Sequence, residues 1–455
     1  MKNLQTQTPN KKVHFVSLGC PKNLVDTEIM AGTLVKDGYE ITTSPEQAQM
    51  LVVNTCGFID DAKKESIDKI LELAELKKQH PGKKLVVSGC LVQRYKDDLV
   101  KDMPEVDFFV GSGEFQNISK ILKTEKRSGK KTFYNLPTYL QEESSPRINS
   151  GPKHRAYLKI SEGCKKRCAF CAIPVIRGDL QSRTIKNVVS EAQLLVASGV
   201  EEIIVISHDF TDYGWDLRKK DIKAKESPVE LLRDLSLVPG LKWIRLMYLY
   251  PDGITEELLD LIKVRPNILP YFDMPLQHIN NEQLRKMNRK MTKEEITGRL
   301  ALIRTKIPEA VIRTQFIVGF PGETDDQFKE LLEFIKEQKF DRVGCFKYSP
   351  EENTGGFRMK DQVEEEVKTK RFDKLMSLQK TISKKKMRGY LGKTLQVLVE
   401  GVSPETELLL QGRYFGQAPE IDGVVLINEG TANPGTFVNV RVTDTHDYDL
   451  VGEII

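Results

Sequence analysis

The stretch AYLKISEGCKKRCAFCAIP, residues 156–174, decides how the rest of the chain is read. Residues 156–161 form an apolar, strand-like run. Just beyond it stand Cys164, Cys168 and Cys171 in a C-x3-C-x2-C spacing. Three thiolates this close can hold one metal ion or one iron–sulfur cluster. A structural zinc site wants four ligands, and neither a fourth Cys nor a well-spaced His follows. Three ligands leave one iron of a [4Fe–4S] cluster open to a small molecule. Zinc with a distant fourth ligand, or a set of unrelated buried thiols, is the plainer alternative.

Outward from this stretch, 156–161 is the first of six strand-like segments. The others are 202–207, 243–250, 268–273, 311–317 and 342–348, with helical patterns between most of them. Six βα units describe a parallel sheet curved into part of a barrel, since a closed one needs eight. Upstream, strand-like runs at 13–19, 50–55, 84–89 and 106–110 alternate with helical patterns at 24–36, 62–78 and 93–101. That alternation predicts an open parallel α/β sheet over residues 12–122. Residues 123–153 turn basic, then polar and turn-rich, and read as a linker. A charged helix from about 361 to 389 ends a central domain spanning 154–389. Over 390–455, short β-like runs separated by Gly, Pro and Asp predict a small five-stranded antiparallel β-barrel.

The 455 residues are 39% hydrophobic and 29% charged, with a formal charge of +4. This is ordinary for a globular chain of about three domains, and too weakly basic to make the whole chain a nucleic-acid binder. No stretch approaches the ~18 consecutive apolar residues of a membrane span. The polar start MKNLQTQTPNKK has no signal-peptide core. A cytoplasmic location without a membrane partner is the expectation, and there disulfides are rare. The seven cysteines are odd in number and cannot all pair. Cys345 lies mid-strand and reads as core. Cys20, Cys56 and Cys90 each follow directly on an apolar strand, in VHFVSLGC, MLVVNTC and KLVVSGC. A parallel sheet brings all three thiols to its carboxyl edge. Gly19, Gly57 and Gly89 adjoin them, consistent with backbone making room for something bulky. Three cysteines packed as small hydrophobes are the bland reading; three at one edge favour a second cluster site.

C-x3-C-x2-C with Phe170 before the last Cys, on a six-unit βα barrel, resembles the radical S-adenosylmethionine (SAM) superfamily. With the three-Cys domain before it and the β-barrel after it, the chain from about Val13 to Ile455 resembles the methylthiotransferases. That resemblance implies two [4Fe–4S] clusters, one on Cys20, Cys56 and Cys90, the other, SAM-binding, on Cys164, Cys168 and Cys171. It implies two SAM molecules, one supplying a methyl group and one a radical that activates a C–H bond, which becomes C–S–CH3. The C-terminal barrel would be a TRAM domain, and the electron donor a flavodoxin or ferredoxin. SLGCPKNLVDTE (17–28), CAIPVIRGDLQSR (171–183) and DMPLQHIN (273–280) are similar to the RimO-type branch. That branch modifies the β-carbon of an aspartate in small ribosomal subunit protein twelve. The tRNA-adenosine branch typically has Gln-Met-Asn after the first Cys. The resemblance leaves open whether the substrate is free or in the ribosome, and a monomer is the default.

The same resemblance makes Glu162, Phe170, Gly319 and Glu323 candidates to touch SAM, with a plain strand-ending turn as the alternative for GFPGE (319–323). Lys159, Gln277, His278 and Arg313 are candidate catalytic residues. His suits proton handling, but an ordinary hydrogen-bonded His is as good a reading. Arg313 could meet the carboxylate of SAM or substrate with its planar fork, or form a structural ion pair. His208 stands where relatives often carry Gln, and Asn353 where they carry Gly. From Tyr390 to Ile455, ten acidic residues oppose three basic ones, a net of −7. An RNA-gripping barrel should be basic. An acidic one suits a basic protein partner or serves solubility. The competing functions are a tRNA-adenosine methylthiotransferase and a non-catalytic iron–sulfur ribosome-assembly factor.

Overall fold

Apolar runs buried on both faces build the centre of the N-terminal sheet. The computed structural model describes residues 11–128, 131–142 and 145–455. The first ten residues, and linker residues 129–130 and 143–144, lie outside the described residues. The sheet comprises β1 (Lys12–Ser17), β2 (Glu40–Ile41), β3 (Met50–Thr55), β4 (Lys84–Gly89), β5 (Phe108–Gly111) and β6 (Thr132–Phe133). Its order is β2-β1-β3-β4-β5-β6, all parallel. Central β3 and β4 carry continuous apolar runs because helices cover both faces of a parallel sheet. β2 and β6 are two-residue edge strands, too short to leave a period in the sequence. β6 lies within the segment read as linker, so the sheet reaches past Leu122, with the helix Ile118–Ser128 in between.

The central domain is built from β7 (Arg155–Lys159), the antiparallel pair β8 (Ser161–Glu162) and β9 (Gln181–Ser182), then β10 (Glu202–Ile206), β11 (Trp243–Leu246), β12 (Tyr271–Gln277), β13 (Val311–Val318) and β14 (Arg342–Lys347). β7, β10 and β11 form one parallel sheet, and β12, β13 and β14 another. The parallel bridge Ile244–Ile268 and the bond from Leu249 N–H to Asp273 O, 2.8 Å, join the two. The six units thus form the partial barrel expected from the sequence. The run 243–250 stops being strand at Leu246, just before Tyr248 takes φ +62°. Leu158, Ile203, Val205, Phe272 and Phe316 face the surrounding helices. Tyr157, Ile204, Ile206, Met247 and Tyr271 instead share one apolar cluster with Val25, Met30 and Phe115 of the N-terminal domain.

The helix Glu365–Arg388 leads into a closed barrel of β15 (Thr394–Ser403), β16 (Thr406–Tyr414), β17 (Val425–Glu429), β18 (Phe437–Thr445) and β19 (Leu450–Ile454). Four neighbouring pairs are antiparallel, and β17–β19 is parallel. The wholly antiparallel expectation is corrected here for a simple reason: strands in a closed ring of odd number cannot all alternate in direction.

This barrel sits on the N-terminal ends of the central strands, opposite the loop of Cys164. Arg413 meets Glu202 at 2.5 Å and Glu400 at 2.5 Å, and Glu202 also accepts from Arg245 at 2.8 Å. Tyr271 donates to Asp422 at 2.7 Å, and Arg155 meets Glu420 at 3.0 Å. Asp447 pairs with Lys380 at 3.1 Å, Asp449 accepts the Val424 N–H, and Glu453 pairs with Arg441. The net of −7 therefore overstates the charge a partner would meet. Among the described residues, Glu405, Glu407, Glu429 and Asp444 remain exposed without an ion pair.

Burial alone would raise the Glu202 carboxyl, but Arg413 and Arg245 outweigh it and hold it at about 2, against an ordinary 4.5. The stability it lends is present above 4.5 and fades as pH falls toward 2. Arg413→Ala leaves Glu202 with Arg245 alone and Glu400 with only Arg155 and His154, each at 3.4 Å. It is expected to lower the unfolding free energy by about 3–5 kcal/mol in urea titration. Arg441→Ala, at an exposed pair, is expected to change it by less than about 0.5 kcal/mol.

Candidate active site

The first three thiols come together because each ends a parallel strand. Cys20 precedes the helix Pro21–Lys36, whose first residue is proline, Cys56 follows β3, and Cys90 begins the helix Cys90–Asp102. The adjoining glycines let these turns close on one another. A Cβ on Gly19 would lie 2.7 Å from the Cys56 Cβ, and one on Gly57 would lie 2.8 Å from the Leu91 Cα. Their small size therefore serves the approach of turn to turn, a use the sequence reading did not foresee. The Asn23 amide donates to the Leu18 and Thr55 carbonyls at 3.0 and 2.9 Å, and its oxygen accepts from Cys90 Sγ at 3.5 Å. Burial pushes the Cys90 thiol up to about 12, with Cys56 and Cys20 close enough to add to the effect.

Cys164, Cys168 and Cys171 sit on the loop between β8 and the helix Ile173–Arg177. Backbone bonds pin that loop: Cys164 N–H to Gly178 O at 3.1 Å, Ala169 N–H to Met287 O at 2.9 Å, and Gly356 N–H to Ala169 O at 2.7 Å. Lys166 anchors its outer side to Asp252 at 3.1 Å, with Tyr250 beneath at 4.0 Å. Arg289 approaches Cys168 Sγ at 3.8 Å and stacks on Tyr250 at 4.1 Å. Burial pushes the Cys164 and Cys171 thiols up to about 12. All seven cysteines are free of disulfides.

Among the described residues no group of three His, Cys, Asp or Glu converges as a single ion requires. Cys thiolates are the ligands a [4Fe–4S] cluster takes, and each set offers three. A cation stands by each: Arg289 beside Cys168, and Arg177, through Asn23, beside Cys90. Both complement the negative charge of a thiolate-bound cluster.

Buried ion pairs tie the two triads together. Arg177, 1% exposed, donates to Asp26 at 2.7 Å, to Glu162 at 3.2 Å and to Asn23. Lys159 meets Asp26 at 2.5 Å and Glu162 at 3.1 Å. Asn23 and Asp26 belong to the helix that follows Cys20, Glu162 precedes Cys164, and Arg177 follows Cys171. Two cations thus face two carboxylates. Burial would raise the Glu162 carboxyl, but Lys159 and Arg177 hold it below the usual range. Lys159 and Glu162, both singled out from sequence, are therefore engaged with each other and with the first domain.

The remaining candidates stand elsewhere. His278 Nδ1 accepts from the Asn280 N–H at 3.0 Å, so its proton sits on Nε2, 3.3 Å from Glu323. Glu323 also accepts from the Gly319 N–H and from Arg371 at 2.9 Å, while the Lys368 side chain fills the space beside Gly319. These residues join the end of β13 to the helix Glu365–Arg388, and His278 is hydrogen-bonded at both ring nitrogens. Arg313 makes an ion pair, 2.7 Å to Asp273. Phe170 packs with Ala169, Met287, Phe320 and Tyr348. Gln277 stands at a register break in β12 with φ +72°. Tyr248 and Gln277, both non-glycine residues with positive φ at strand ends, mark strained backbone at the barrel mouth. Asn353 adopts φ +64°, a conformation glycine and asparagine both accept, which explains that departure from the usual glycine. Sequence reasoning missed Lys22, Asp26, Arg177, Tyr248 and Arg289. Lys22, Asp26 and Arg177 lay inside quoted motifs, but one chain gives no sign of which charges meet.

Three family profiles match the chain: the uncharacterized protein family UPF0004 over residues 12–111, the radical SAM superfamily over 158–335 and the TRAM domain over 391–455. The ribosomal protein uS12 methylthiotransferase RimO of Bdellovibrio bacteriovorus is 66% identical over 452 residues, covering 99% of both chains. The protein of the same name from Geobacter sulfurreducens is 48% identical, covering 98% of this chain and 99% of that one. Among solved structures, the radical SAM methyltransferase TsrM from Kitasatospora setae superposes with a TM-score of 0.52 at 15% identity, covering 74% of this chain and 73% of that one. It shares the fold.

A double-mutant cycle tests the link between the triads. Asp26→Asn and Lys159→Met are each expected to destabilise the protein. Together they should cost less than the sum of the single changes, by about 1–3 kcal/mol in denaturant titrations. Strict additivity would show that the contact contributes no coupling.

Proposed function

The chain belongs to the ribosomal protein uS12 methylthiotransferase family, and on that premise we propose that it adds a methylthio group to the β-carbon of an aspartate in small ribosomal subunit protein twelve. In this reading Cys20, Cys56 and Cys90 hold one [4Fe–4S] cluster, and Cys164, Cys168 and Cys171 hold a second, which binds SAM. Two SAM molecules are used. When bound, the clusters and SAM supply the electron, the methyl group and the radical that C–H substitution requires. A flavodoxin or ferredoxin is the electron donor, and the enzyme acts as a cytoplasmic monomer.

One observation carries the reading: both three-cysteine sites lie at one domain interface and share the Asp26–Lys159–Glu162–Arg177 network. The chain's own residues have three tasks there. The network holds the two loops in fixed relation, which a reaction drawing on both needs. The apolar cluster shared by the N-terminal domain and the barrel keeps water from the reacting groups. Arg289 and Lys166 hold the second cysteine loop in place.

The test is anaerobic reconstitution with iron and sulfide, followed by incubation with SAM, reductant and protein twelve. Mass spectrometry is expected to find one methylthio group on one aspartate, lost in Cys168→Ala. Replacing Cys56 or Cys168 by Ala should each remove about half of the bound iron. Cleavage of SAM without change to protein twelve, together with modification of tRNA, would overturn the substrate assignment.

A further inference from the structure

Lys22 is 4% exposed, and among the described residues its ammonium has neither an ion pair nor a hydrogen bond. It lies 3.7 Å above the ring of Tyr248. The other buried cations of this interface are all answered. Arg147 meets Glu28 at 2.7 Å and Glu191 at 2.6 Å, Lys159 and Arg177 share Asp26 and Glu162, and Arg313 has Asp273. A buried ammonium whose only direct contact is a ring face is costly, and an arriving carboxylate would pair with it at that point.

The charged groups facing Lys22 are Cys20, Arg177, Glu162 and Asp273. Neither carboxylate is free. Glu162 accepts from Lys159 and Arg177, and Asp273 accepts from Arg313 and from the Tyr248 N–H at 3.0 Å. The same mouth holds a second unanswered group, His208 Nε2, a buried atom without a hydrogen-bond partner. His208 follows β10 by two residues and Tyr248 follows β11 by two. At +62°, φ of Tyr248 is a strained conformation, and it sets the ring beneath the ammonium. These groups occupy the C-terminal face of the barrel strands, where such folds act.

We propose that Lys22 is the specificity-determining residue that receives the carboxylate of the substrate aspartate, with His208 Nε2 beside it as a second polar contact. The inference rests on the aspartate substrate of the preceding subsection. Lys22 lies two residues after Cys20, on the helix that Asn23 and Asp26 tie to the barrel, so it meets the carboxylate at a rigid point. Pairing there fixes the carbon next to the reacting β-carbon. It predicts a preference for an acid over its amide, since Asn would leave the ammonium unanswered.

The experiment uses reconstituted enzyme and measures binding of protein twelve carrying either the target Asp or Asn in its place. Wild type is expected to bind the Asp form about tenfold more tightly. Lys22→Met, and Lys22→Gln as a second variant, should bind both forms alike, and Lys22→Arg should restore part of the ratio. Iron content and SAM affinity should stay at wild-type levels in all three. An unchanged Asp/Asn ratio in Lys22→Met overturns the proposal. So does loss of iron, which would make Lys22 a counter-charge to the cluster on Cys20, and so does weakened SAM binding, which would make the carboxylate SAM's own. If wild type neither binds nor modifies protein twelve, the substrate reading falls first and this inference with it. If wild type modifies protein twelve but the ratio does not respond to position 22, this inference falls alone.

Discussion

The contact of Asp26 with Lys159 and Arg177 is the constraint on which the arrangement of this enzyme depends. It is buried, so its cost in desolvation is high and only near-complete pairing makes it tolerable. It crosses between domains, so it fixes one against the other rather than stiffening either. Its members lie within a few residues of Cys20, Cys164 and Cys171, so a shift there would move both cysteine loops. A radical SAM methylthiotransferase whose two halves were joined by apolar contact alone could slide. This one is held in register by directional bonds.

The far end of the barrel is organised on the same principle. Glu202 and Arg413 do for the C-terminal domain what Asp26 and Lys159 do for the N-terminal one, and the Tyr271–Asp422 bond adds a second point of attachment. The central domain is clasped at both ends of its strands by polar pairs within largely apolar interfaces. Among the described residues its two half-sheets share one ladder bridge, Ile244–Ile268, and the hydrogen bonds of Tyr248 and Leu249 to Asp273, so the flanking domains contribute to holding the barrel's curvature.

The fold was legible where patterns are periodic and the chemistry is spelled out by spacing. Strands β3 and β4 stand where their apolar runs put them, and the cysteines after β1, β3 and β4 share an edge because parallel strands share a direction. Two-residue β2 and β6 have no period to read. Which charges pair was not legible, because pairing depends on residues far apart in sequence: Arg313 meets Asp273, Arg413 meets Glu202, and Glu323 meets both His278 and Arg371. The acidic count of the last domain could not show which charges stay outward for the same reason, since Glu400, Glu420 and Asp422 turn toward the barrel. Lys22 was quoted within a motif and passed over. A lysine's worth at a site lies in what it lacks nearby, and a sequence does not display that.

The ring of β15 to β19 closes on itself, and closure leaves no edge strand with unpaired backbone groups. Recognition by strand addition, in which an extended peptide borrows the backbone ladder of its host, is thereby denied to this domain. Whatever docks there would be read by side chains alone, from the outward faces of the strands and from turns such as β15–β16, which bears exposed Val402, Glu405, Glu407 and Leu408 on one short loop and its flanks. Such side chains are free to change without disturbing the ring that carries them.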